Sequence, residues 1–176
     1  MINFKLAFQL NISSGHDRNR GMTDWIDKFD SDSKDQRIRQ ERRRSVFGPK
    51  ARRTWEALSS QIGHDAARMN ASPNVKAAMR GEIQINRRET VPIGDDLQVD
   101  KPYIPSVYLT ISLDIGAESI RIEQRRKEIL EGDYKDTIER LSLDLDDFDQ
   151  MTVRNATGLP LTIESASEYI LRRFLN

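Results

Sequence analysis

Eight basic residues crowd the stretch 37–53 of this chain: Arg37, Arg39, Arg42, Arg43, Arg44, Lys50, Arg52 and Arg53, offset only by Glu41. Guanidinium groups at this density neutralise phosphates and displace condensed counterions, so the run is the natural place for a nucleic-acid or other polyanion contact. Drawn as a helix, Arg39, Arg42, Arg43 and Lys50 fall roughly on one side. Phe47 is the only aromatic residue inside the run, which offers no platform for stacked bases. A basic helix face is equally a solvated surface or a dock for an acidic protein, and the residues alone leave these alternatives open.

A second block carries the opposite sign. Over 131–149, Glu131, Asp133, Asp136, Glu139, Asp144, Asp146, Asp147 and Asp149 stand against Lys135 and Arg140. The two blocks nearly cancel, in a chain of formal net charge zero, and are expected to pair within one molecule or between two copies. Asp144, Asp146 and Asp149 are spaced like calcium ligands. An EF-hand loop, however, needs Gly at its sixth position and Glu at its twelfth, where this chain has Asp149 and Asn155. No metal site is expected there.

Other catalytic chemistry finds little support. The two histidines both occur as Gly-His-Asp, at His16 and His64, and a metal phosphohydrolase needs more of them than the chain owns. His64 reads as a boundary residue of a helix. No G-x-S-x-G elbow, G-x-G-x-x-G or G-x-x-x-x-G-K-[ST] loop occurs, so no catalytic residue and no cofactor is assigned. A function carried on an irregular loop would belong to the long connection 86–106, where Arg87, Arg88 and Tyr103 are the candidates.

The elements that position these residues follow from periodicity. Trp55, Leu58, Ile62, Ala66 and Met69 recur at helical steps and form one apolar stripe. The helix bearing them begins near Asp35, with a candidate break at Gly48-Pro49, because the residue before proline is pushed out of the α region. A short amphipathic turn follows at Val75–Met79. From Ile83 onward the period changes to two. Five segments alternate, around Ile83–Ile85, Val107–Leu113, Ile120–Ile122, Leu141–Leu145 and Met151–Val153. Ile163, Ala166, Ile170 and Phe174 then share a face of a last helix, with Thr162 or Ser165 as its cap.

The expected fold is therefore α+β: an N-terminal helix, an antiparallel meander of about 4–5 strands and a C-terminal helix, both helices on the dry face of the sheet. Residues 1–35, rich in Ser, Asp, Gly and Asn, read as a flexible leader, and 36–176 as a single domain. Met22, just after the first polar stretch, reads as an alternative start. The absence of cysteine removes disulfides and thiolate chemistry and fits a cytoplasmic protein. No 18-residue apolar run exists, so no membrane partner is expected. The functional expectation is a small non-enzymatic interaction or accessory protein that binds another macromolecule or itself. The alternative is a nucleic-acid-associated protein contacting phosphates through 37–53.

Overall fold

A computed structural model describes residues 17–90 and 94–175. The chain divides into two compact units, Met1–Arg42 and Arg43–Asn176. Helix α1, Asp17–Ala71, contributes residues 17–42 to the first and 43–71 to the second. It starts at Asp17 rather than near Asp35, so residues 17–35 are helical. Residues 1–16 of the expected leader, His16 among them, lie outside the described residues.

The second unit is an α+β fold built on an antiparallel sheet. After α1 come helix α2, Pro73–Met79, and then seven strands: β1, Gln84–Thr90; β2, Gly94–Lys101; β3, Ser106–Asp114; β4, Ser119–Lys127; β5, Lys135–Leu145; β6, Met151–Arg154; and β7, Pro160–Leu161. Helix α3, Ile163–Leu171, continues into a 3₁₀ turn over Arg172–Phe174. The strands lie in sequence order, each antiparallel to its neighbour, and the sheet curls into a half-barrel. Strand number is the main correction to the expected fold. The stretch 86–106, expected to be an irregular connection, is largely the paired strands β1 and β2, in register from Gln84–Asp100 to Thr90–Gly94.

One continuous core explains why these segments take these forms. Phe47, Ala51, Trp55, Leu58, Ile62 and Ala66 of α1 join the alternate residues Leu97, Val99, Val107, Leu109, Ile111, Ile120, Ile122, Leu141, Leu143, Leu145 and Val153 of the strands. Ala166, Ile170, Leu171 and Phe174 complete it from the C-terminal helix. Each large side chain so buried contributes roughly 1.5–3 kcal/mol. That burial also removes the expected break. Pro49 lies inside α1, and the helix continues because Phe47 and Ala51 on either side of it are anchored in the core. A proline forfeits one helical hydrogen bond, and two buried neighbours hold the backbone through the gap.

The turns are made by short polar side chains. Asp146 Oδ1 accepts from the backbone N–H groups of Phe148 and Gln150 at 2.9 and 2.7 Å, closing the turn between β5 and β6. Asn155 Oδ1 does the same for Thr157 and Leu159, with Gly158 at φ +82°, where a side chain would be strained. Thr162, not Ser165, caps α3: its hydroxyl accepts from the Ser165 N–H at 3.1 Å.

Candidate functional site

The basic run occupies the middle of α1, and the buried stripe decides how it is displayed. At 100° per residue, Arg53 stands opposite Ala51, Trp55 and Leu58. Arg52 lies on one flank, and Arg43 and Lys50 lie on the other. Arg43 and Lys50 keep the common side expected of them, and Arg52 and Arg53 extend the charge round the helix as a collar. Arg44, Arg52 and Arg53 are exposed, and Lys50 is half-buried. Arg43 reaches the sheet, where its Nη2 lies 3.0 Å from Glu118 Oε2 in the β3–β4 turn. Arg42 belongs to the first unit, and the side chain of Arg39 lies outside the described residues. Phe47 is turned into the core, so the run presents no aromatic surface.

The acidic block is used quite differently. Asp136 pairs with Arg125 at 3.2 Å across β4 and β5, and Asp144 pairs with Arg154 at 3.3 Å across β5 and β6. Asp146 is committed to its turn. Glu139 receives Arg173 Nη2 at 2.6 Å and the hydroxyl of Tyr169. Arg43, from the basic run, pairs with Glu118 and not with 131–149, while Asp136, Asp144 and Glu139 pair with Arg125, Arg154 and Arg173.

Glu139 forms the most elaborate polar cluster of the second unit. Its position on β5 has the inward parity of Leu141 and Leu143, so the carboxylate meets the C-terminal helix instead of water. Arg173 also reaches Gln124 Oε1 at 3.4 Å, and its guanidinium lies 5.4 Å from the centroid of the Tyr169 ring. Burial pushes the Glu139 carboxyl up. The hydrogen bonds from Tyr169 and Arg173, with the charge of that guanidinium, outweigh burial and hold it below the ordinary carboxylate range. The Tyr169 hydroxyl is raised by its bond to Glu139, by burial and by the carboxylate charge. All these groups face one another, so the cluster fastens helix to sheet. Sequence reading missed it because an acid inside an acidic stretch looks wet. The available signal was Tyr169 and Arg173, four residues apart on one helix face.

The loop candidates do not converge. Arg87 is exposed and borders a cleft of about 320 Å³ with Glu56 and Ser59 of α1. The backbone of Arg88 pairs with Asp96, and its side chain lies outside the described residues. Tyr103 lies against Gly81, where an added Cβ would come within 2.4 Å of its ring, so a glycine is needed for that close approach. A larger groove of about 710 Å³ runs between α1 and α3, floored by Met69, Val75 and Leu171 and rimmed by Asp65, Arg68 and Glu168. Asp65 is already engaged there, accepting from Gln61 at 3.0 Å and from the buried Ser167 hydroxyl at 2.8 Å. His64 is exposed. Among the described residues no three of His, Asp and Glu converge as metal ligands, and no helix is long and apolar enough to cross a membrane.

No family model, curated protein or solved structure matches this chain.

Proposed function

We propose that this chain is a small non-enzymatic interaction protein, which docks an acidic protein surface through the collar of α1 between Arg43 and Arg53. One observation carries the reading. Arg44, Arg52 and Arg53 stand in water, while Asp136, Asp144 and Glu139 of the acidic block are spent on Arg125, Arg154 and Arg173. Between 43 and 53 there is no acidic residue, so the surplus is available to an outside partner. The scattered loop candidates and the fully committed polar cluster at Glu139 give no convergent set for catalysis. A cysteine-free composition supports a cytoplasmic setting.

A second reading rests on the same guanidinium groups: contact with nucleic-acid phosphates without base stacking, since Phe47 is buried. Retention on immobilised polyglutamate and on duplex DNA, each titrated with salt, separates the two. Substitution of Arg44, Arg52 and Arg53 by Glu is expected to abolish retention on polyglutamate. Retention unchanged by the triple substitution overturns both readings. Binding confined to DNA, weakening log-linearly with salt, selects the second.

A further inference from the structure

The cleft of about 320 Å³ beside Arg87 lies wholly inside the second unit, between the part of α1 that carries Glu56, Ser59 and Ser60 and the strand residues Ile85, Arg87 and Leu97. Its volume is at the small end of the range that holds low-molecular-weight ligands, roughly 300–1,000 Å³. Two features of its wall are not used by the fold.

The first is a hydroxyl. Ser59 is only 6% exposed, yet its Oγ has no hydrogen-bond partner among the described residues. A serine inside a helix commonly returns its hydroxyl to the carbonyl one turn earlier, and Ser59 does not. The indole N–H of Trp55, one turn before Ser59 on the same face of α1, is buried and also lacks an acceptor among the described residues. Buried polar groups are as a rule satisfied, and a hydroxyl left over at the wall of a cleft calls for a partner from outside.

The second feature is a separated pair of opposite charges. Glu56 stands on the helix wall and Arg87 on the strand wall, both exposed. Neither forms an ion pair with the other or with any other described residue. Arg87 reaches this wall because it is in register with the buried Leu97 and so has the inward parity of its strand. Ile85 and Leu97 supply the apolar part of the lining.

These groups together select a ligand. A purely anionic molecule would meet the Glu56 carboxylate as a like charge, a purely cationic one would meet the Arg87 guanidinium, and an apolar one would leave both charges and the hydroxyl unanswered. A small zwitterion with a short aliphatic body satisfies all of them at once. We propose that the cleft between α1 and β1 binds a free aliphatic α-amino acid, with its ammonium at Glu56, its carboxylate at Arg87, a hydrogen bond to Ser59 and its side chain against Ile85 and Leu97. The cleft takes no residue from the collar at 43–53, so the site stands or falls independently of what that collar binds.

Isothermal titration calorimetry of the full chain with L-leucine tests it, and saturable one-to-one binding is expected. Leucinamide lacks the carboxylate and N-acetyl-L-leucine lacks the ammonium, and each should bind roughly tenfold or more weakly than L-leucine. L-Leucine should lose a similar factor on Glu56→Gln and on Arg87→Gln, and severalfold on Ser59→Ala. Glu56 and Arg87 are exposed, so their variants keep the fold, which far-UV circular dichroism verifies. The losses should also cross. Arg87→Gln should no longer distinguish L-leucine from leucinamide, and Glu56→Gln should no longer distinguish it from N-acetyl-L-leucine, a pattern that a general change of shape does not produce. Absence of binding up to about 10 mM L-leucine overturns the proposal. So does binding that both charge substitutions leave unchanged, or binding that fails to separate the three ligands.

Discussion

The stretches 43–53 and 131–149 carry comparable charge densities, yet the molecule treats them in opposite ways. Three acids of the acidic block, Asp136, Glu139 and Asp144, lie on β5, which has a strand on either side, and Asp136 and Asp144 find Arg125 and Arg154 on those strands. The basic run lies on a helix, which offers partners only three or four positions away. Glu56 is the one acid at that distance from Arg52 and Arg53, and Arg43 must reach to the turn at Glu118 for its own. Topology thus decides whether a charged block becomes internal stitching or external surface. Strand β5 pairs its acids with neighbouring elements, and the helix displays Arg44, Arg52 and Arg53.

If that contrast is right, the collar owes its position to the apolar stripe beneath it and nothing to charge pairing. Removing the stripe should have the largest effect in the molecule. Trp55 is buried between α1 and the sheet core, and Trp55→Ala is expected to lower unfolding stability by about 3–5 kcal/mol in urea denaturation, through lost transfer energy and an unfilled cavity. A loss below 1 kcal/mol would mean that the helix is held in some other way.

The acidic block makes the converse prediction, because one of its members is structural. Glu139→Ala leaves Arg173 and Tyr169 half-buried without their acceptor, and should cost about 1–3 kcal/mol at neutral pH. The pH dependence follows from the depressed carboxyl. A carboxylate favoured by the fold stabilises it above its unfolded-state pKa, and that stability is lost as pH falls through the lower folded-state value. The gap between wild type and variant should therefore be widest near neutrality and close on acidification. A gap independent of pH would mean that the effect is packing alone.

Much of this arrangement could be read from residue patterns, and the failures share a cause. The stripe from Trp55 to Ala66 and the alternations in β3, β4 and β5 are visible because burial on one side imposes a period. Strand β2 hid itself: after the inward-facing Leu97 and Val99 the next inward residue is Lys101, only 2% exposed, its ammonium donating to the Met79 carbonyl at 3.0 Å. A buried lysine breaks the apolar alternation although the backbone continues it. The first half of β5 hid in the same way, because Glu139 takes an inward place that pattern reading reserves for apolar residues. Strand β7 is two residues long and begins with proline, too short to show a period. At the candidate site, the existence of the basic run was legible but its display was not. Whether its charges were neutralised depended on contacts between residues far apart in the chain.

The smallest expected effect is the one that bears most directly on the contrast. Arg44, Arg52 and Arg53 are exposed on α1 and have no acidic partner among the described residues, so replacing all three by Glu should change stability by no more than about 0.5 kcal/mol. Reversal of an equal number of charges in the acidic block, Asp136, Glu139 and Asp144 to Lys, opposes Arg125, Arg173 and Arg154 directly and should cost several times more. Urea denaturation of the two triple variants side by side measures the difference. Equal losses would show that the arginines are engaged inside the fold after all, and the surplus charge on which the docking reading depends would be absent. A near-silent helix triple beside a damaged sheet triple is the outcome that fits a fold which keeps its acids for itself and leaves its arginines to a partner.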